Sequence, residues 1–185
     1  MVGDLERVLI PRERIRERVA EIGSLMAADL ARQIRIDSPA DHITLVPIMT
    51  GSMVFVADLI RELPLKLSIE IVGVSSYPGK SVESKGVSLL TELSKNLAGK
   101  HVLIVDDILD SGQTLDILSS LVLKQGPATL RTCVLLRKPG KAKVAIVPDY
   151  VGFDIPDEFV VGYGLDYDGF YRNLPDIGVL RRDGR

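Results

Sequence analysis

A chain of 185 residues, 46% hydrophobic and 26% charged, can bury one sizeable core and has the balance of an ordinary globular domain. A formal net charge of −2 offers no basic face to nucleic acid or to an anionic membrane, and no apolar stretch reaches the length of a membrane-spanning helix. The opening residues MVGDLERVLIPRERIRERVAEIG are too charged to read as a secretory signal, and the single cysteine, Cys133, reads as a small core residue in a reducing cytoplasm.

In chain order, residues 12–35 predict an amphipathic helix with Ile15, Val19, Ile22, Met26, Leu30 and Ile34 on one stripe. The apolar run Leu45–Met49 enters Thr50-Gly51-Ser52, and a second helical pattern follows with Val54, Ala57, Asp58 and Leu59. Leu67–Val72 alternates apolar and polar residues, as a half-buried strand does. Residues 75–88 are rich in Ser, Gly and Lys, the composition of a mobile loop. Val102–Val105 reads as a strand buried on both faces, and Leu115, Leu118, Leu121 and Val122 mark the next helix. Thr129–Leu136, Tyr150–Phe153 and Phe159–Tyr163 are further strand candidates. Strands alternating with helices predict one α/β domain with a largely parallel sheet. Ligands then bind beyond the carboxyl ends of the strands, where Thr50–Ser52 and Asp106–Thr114 both fall. His42 and His101 have no partner spacing and read as surface or structural residues.

The segment Val102–Asp116, VLIVDDILDSGQTLD, carries the chemistry. A buried strand meets two carboxylates, then a third at Asp110, then a Ser-Gly-Gln-Thr turn that opens a helix. Free backbone N–H groups at a helix start bind phosphate. Carboxylates beside an anion site make sense if the ligand also carries hydroxyls or a divalent metal, and a sugar phosphate satisfies both. A P-loop would need a lysine that is absent, and a dinucleotide fingerprint three spaced glycines where Gly112 stands alone.

Val102–Thr114 resembles the phosphoribosyl-diphosphate (PRPP) motif of type I phosphoribosyltransferases at every step: apolar strand, two acids, two apolar residues, Asp, Ser/Thr, Gly, any residue, Thr. Residues 153–167, FDIPDEFVVGYGLDY, and Leu135-Leu136-Arg137-Lys138-Pro139 are similar to the purine-binding region of the hypoxanthine (guanine) phosphoribosyltransferases. The resemblance runs from about residue 10 to residue 180.

That resemblance implies a Rossmann-like, largely parallel sheet flanked by helices (about residues 35–150), with a small hood lobe from the terminal segments (about 1–20 and 150–185). It implies purine salvage: transfer of the phosphoribosyl group from PRPP to N9 of hypoxanthine, and of guanine, giving IMP or GMP and pyrophosphate, with Mg²⁺ as cofactor. Asp106 and Asp107 would hold the ribose hydroxyls, directly or through Mg²⁺. Ser111, Gly112, Gln113 and Thr114 would wrap the 5′-phosphate, and Asp110 would act at the base as general acid or base. Thr50, Gly51 and Arg172 would meet the pyrophosphate, after a peptide, Met49–Thr50, whose counterpart in the family is often cis. Ser76 and Tyr77 would belong to a lid. Lys138 would donate to the 6-oxo group, Phe159 would stack on the purine, Val160 would present backbone groups to its edge, and Asp166 would hold a second Mg²⁺. The family more often carries Glu at the position of Asp106 and Lys or Arg at that of Thr50. It forms homodimers and homotetramers. A related fold that binds RNA as a pyrimidine-operon attenuator, and a non-catalytic phosphate-binding module, are the alternatives. The first would favour a basic surface, which this chain lacks.

Overall fold

The computed structural model describes residues 2–33, 42–75, 88–89 and 96–181. A 3-10 turn, Val2–Asp4, leads into β1 (Leu5–Ile10) and the long helix α1 (Arg12–Gln33). Next come β2 (Ile43–Met49), α2 (Met53–Leu59) with a 3-10 extension Ile60–Glu62, β3 (Leu67–Ile69), β4 (Val72–Ser75) and β5 (Ser88–Leu89). Then follow β6 (His101–Leu109), α3 (Gln113–Lys124), β7 (Thr129–Arg137), β8 (Tyr150–Asp154), β9 (Val160–Val161) and β10 (Ile177–Leu180).

The main sheet has the order β5-β4-β2-β6-β7-β8, with β3 also paired to β2. All its pairings are parallel except β4 with β5, so the expected architecture stands. The order turns at β2: the chain lays β3 and β4 on one side of it and β6 on the other. Such a reversal opens a crevice at the carboxyl ends of the two central strands.

β6 lies between β2 and β7, which explains its continuous apolar run. Leu103 and Val105 join a core with α1 and α2, whereas Val102 and Ile104 join a second core with Leu115, Leu118 and Val122 of α3. Period-two alternation thus feeds two cores, one on each face. Five residues of the predicted α1 stripe (Ile15, Val19, Ile22, Met26 and Leu30) are buried, while Ile34 lies outside the described residues. Arg18 of α1 donates to the carbonyls of Gly152 (2.8 Å) and Val151 (3.0 Å) on β8, the edge of the sheet.

Several boundaries differ from expectation. The strand read as Val102–Val105 continues through both acids to Leu109, because β7 keeps pairing with it as far as Leu109↔Arg137. Leu67–Val72 is not one strand. Both β3 and β4 pair with β2, at Ile43–Leu45 and at Ile48–Met49, in the same register, and the pairing lapses between them at Glu70 and Ile71. Where it lapses, Glu70 faces inward (4% exposed) and Ile71 is 61% exposed. The segment 75–88 begins and ends in strand, at Ser75 and Ser88, and residues 76–87 lie outside the description. Phe159–Tyr163 reduces to β9. A second, antiparallel sheet, β1-β10-β9, joins both ends of the chain beside the crevice. Among the described residues no helix is long and apolar enough to cross a membrane.

Candidate active site

The crevice is built where β2 and β6 end. The peptide Met49–Thr50, left open by the sequence, is cis, and Ser52 Oγ, fully buried, donates to the Ile48 carbonyl at 2.7 Å, tying the turn back to its own strand. Gly51 lies directly over the Asp107 carboxylate, where an added Cβ would collide with Oδ2. A Cβ on Gly164 would in turn strike the Gly51 carbonyl. Gly164 has φ +102, a conformation open to glycine and strained for other residues. Three segments distant in sequence therefore meet backbone to carboxylate and backbone to backbone.

The paired acids sit side by side towards the end of β6, and both line the crevice. Asp106 is 7% exposed and accepts from the Asp107 amide at 3.0 Å, and Asp107 accepts from the Ile108 amide at 2.8 Å. Burial, reinforced by the neighbouring Asp107 charge, raises the Asp106 carboxyl well above its ordinary range. Burial also raises Asp107, against the opposing pull of its hydrogen bonds and of Arg172.

Beyond the acids, Gly112 takes φ +79 just before α3. Val144 and Ile146 close over it, leaving no room for a side chain, and the Lys143 amide donates to the Ser111 carbonyl at 2.9 Å. The first helical bond runs from Asp116 N to the Gly112 carbonyl at 3.0 Å, so the amides ahead of it are the ones a helix start leaves facing outward.

A cavity of about 500 Å³ joins these parts, lined among others by Thr50, Gly51, Asp106, Asp107, Asp110, Ser111, Gly112, Thr114, Asp166 and Arg172. Gln113 does not line it. A pocket of about 200 Å³ shares Asp107, Ile108, Asp110 and Asp166 with it and adds Lys138, Phe159, Val160 and Leu165. Lys138 is 7% exposed, with Nζ 3.4 Å from Asp110 Oδ2 and 3.3 Å from Asp157 Oδ1. Phe159 meets Tyr167 edge to face, ring centroids 5.6 Å apart. Asp166 accepts from Arg172 at 2.8 Å and from the Gly169 amide at 2.9 Å, and Arg172 also donates to the Gly164 carbonyl at 2.7 Å.

Ser76 and Tyr77 lie outside the described residues. His101 bonds Thr129 across β6 and β7 at 2.9 Å, away from the cavities. Sequence reading missed Ser52, Leu165, Asp157 and Lys141, the last within 3.3 Å of Asp110. The spacing of Lys138 and Lys141 around Pro139-Gly140 was the available signal for the second lysine.

Residues 19–168 match the phosphoribosyl transferase domain family. The chain is 44% identical over 179 residues to the hypoxanthine-guanine phosphoribosyltransferase of Mycobacterium tuberculosis, covering 96% of this chain and 87% of that one. It is 40% identical to the hypoxanthine phosphoribosyltransferase of Escherichia coli K12 over 94% of each chain. The solved structure of hypoxanthine phosphoribosyltransferase from Trypanosoma cruzi in complex with the product IMP is similar at TM-score 0.89 and 38% identity, over 98% of this chain and 97% of that one. These relatives set the transferase reading above the RNA-attenuator and binding-module alternatives. The chain belongs to the phosphoribosyl transferase family, among the hypoxanthine and hypoxanthine-guanine phosphoribosyltransferases of purine salvage.

Proposed function

We propose that the chain transfers the phosphoribosyl group of PRPP to N9 of hypoxanthine, and of guanine, in the two adjoining cavities. The observation that supports this most strongly is their shared wall. Asp107, Asp110 and Asp166 line both the larger, acid-and-amide-lined space and the smaller pocket with Phe159 and Lys138. A sugar phosphate in one and a purine in the other would meet at that wall.

In this reading Ser111, Gly112, Gln113 and Thr114 bind the 5′-phosphate with the amides at the start of α3. Asp106 and Asp107 accept from the ribose hydroxyls. The turn at Thr50 and Gly51, together with Arg172, receives the pyrophosphate, and Thr50 contributes its backbone rather than a positive charge. The base stacks on Phe159, lies along Val160 and accepts at its 6-oxo group from Lys138. Asp110 exchanges a proton with the base. The C1′–pyrophosphate bond breaks ahead of attack by N9, and donors placed where charge collects lower that barrier. Ser76 and Tyr77 serve as a lid that excludes water.

The carboxylates fit Mg²⁺, a hard cation that takes one or two carboxylates and fills its shell with waters and substrate phosphates. Asp106 and Asp107 would hold one ion and Asp166 a second, sharing its oxygens with Arg172 and the Gly169 amide. Held by these carboxylates, the ion would supply positive charge against the departing pyrophosphate. The same reading places the enzyme in the cytoplasm as a homodimer or homotetramer.

The deciding experiment mixes the protein with Mg²⁺, PRPP and each nucleobase and follows pyrophosphate release. Release with hypoxanthine and guanine but not adenine is expected. Absence of release with every base would remove the proposal.

A further inference from the structure

Lys141 has no part in the transfer just described, yet it completes a ring of four alternating charges at the back of the purine pocket. Asp110 divides its oxygens between two lysines: Oδ2 lies 3.4 Å from Lys138 Nζ and Oδ1 lies 3.3 Å from Lys141 Nζ. Asp157 Oδ1 takes both ammonium groups, at 3.3 Å from Lys138 and 2.5 Å from Lys141. The lysines differ in setting. The Lys138 side chain is 7% exposed and that of Lys141 40%. A further cavity of about 410 Å³, lined in part by Lys138, Lys141, Asp157 and Phe159, opens behind the ring, so Lys141 reaches it from the solvent side. Neighbouring charges are engaged elsewhere: Glu158 with Arg7 and Asp154 with Arg137.

This arrangement sets a problem for Lys138. Its ammonium is held by two carboxylates and must loosen from them to donate to a purine oxygen. Asp110 and Asp157 are 42% and 63% exposed, so water screens them and the cost of loosening either contact is modest, but both still compete with the base for the ammonium. Lys141 contacts the same two carboxylates and stays behind when Lys138 turns to the base.

We propose that Lys141 is a positioning residue for the purine: by neutralising Asp110 and Asp157 it releases Lys138 to bind the 6-oxo group, and so sets the affinity for the base. The inference rests on the reading of Lys138 as the 6-oxo donor. Without Lys141, the two carboxylates compete with the substrate for one ammonium. The effect falls on base binding and leaves the PRPP half of the site alone.

Steady-state kinetics on Lys141→Met, Lys141→Arg and the double variant Lys141→Met/Asp157→Asn test it. Lys141→Met is expected to raise KM for hypoxanthine about fivefold, with kcat and KM for PRPP changed by less than about twofold. Lys141→Arg should restore the KM. The double variant should also restore it, because the carboxylate that competes for Lys138 is gone. An unchanged KM in Lys141→Met overturns the proposal. So does a rise that Asp157→Asn fails to relieve, since Lys141 would then only brace the loop. Lys138→Ala, measured alongside, separates the two levels. If it leaves KM for hypoxanthine unaltered, the reading of Lys138 fails; if it raises that KM while Lys141→Met does not, only the role of Lys141 falls.

Discussion

No side chain fits between Gly51 and Asp107: a Cβ on the glycine would fall on the carboxylate oxygen of the acid. The turn after β2 and the end of β6 are thus fitted to each other at a single point, and that point lies in the wall of the larger cavity. Gly51→Ala must push either the turn or the carboxylate aside. Misplacement of reacting groups by about 1 Å can cost on the order of 10²-fold in rate. Initial rates should show kcat/KM for PRPP falling by that order while the melting temperature changes little. A variant with wild-type kcat/KM would show that the contact yields without consequence.

Asp110 lines both cavities. As a proton-exchanging group it should contribute ~10²–10⁴-fold to the rate. Asp110→Asn keeps the shape and removes the proton chemistry, so kcat should fall by that range while KM for PRPP stays close to its original value. An unaltered kcat would remove Asp110 from the reaction.

Burial raises the Asp106 carboxyl in the folded chain above its ordinary value of 3.8, so the folded state holds this proton more tightly than the unfolded state. Below that ordinary value both states are protonated and the group is indifferent to folding. As pH rises through the window up to the raised folded value, the unfolded chain gives up its proton first and stability falls. Asp106→Asn should therefore raise the melting temperature in magnesium-free buffer near pH ~7.5, by about 2–4 °C for each kcal/mol relieved. The gain should shrink as pH falls towards 4. Thermal unfolding across a pH series measures it, and a gain of equal size at every pH would refute burial of the charge as its cause.

Cys133 is fully buried in β7, and burial raises its thiol well above the ordinary range. A thiol in that setting is a poor nucleophile. A thiol-specific reagent at mildly alkaline pH should leave the native chain unlabelled and modify one cysteine in denaturant. Rapid labelling of the native chain would contradict the burial.

Legibility in the sequence tracked how local each signal was. Val102–Thr114 could be read because one strand, its acids and its turn are contiguous and each residue type answers a local demand. The same holds for Lys138 and the run from Phe159 to Asp166. Both termini were harder to read. β1 and β10 pair Leu5 with Leu180 and Ile10 with Ile177 through two register irregularities, and Leu5–Ile10 buries only its first and last residues, so no period-two pattern announces the strand. Leu67–Val72 misled for the opposite reason. Its alternation is real, but the ladder to β2 lapses at Glu70 and Ile71, and there the polar residue faces inward and the apolar one outward. Lys141 escaped because its partners, Asp110 and Asp157, come together only once the sheet has formed.

The grip of Arg18 on Val151 and Gly152 bears on how the sheet ends. An outermost strand offers unpaired carbonyls on which a foreign strand can grow, the usual route to edge-to-edge aggregation. Here a guanidinium from α1 bonds the carbonyls of Gly152 and Val151 on β8; successive carbonyls of a strand alternate in direction, and it is that of Gly152 that faces away from β7. A helix that buries its apolar stripe on one side thus also caps an outward carbonyl at the margin of the sheet, and replacing Arg18 would uncover that carbonyl without touching any residue that lines the two cavities.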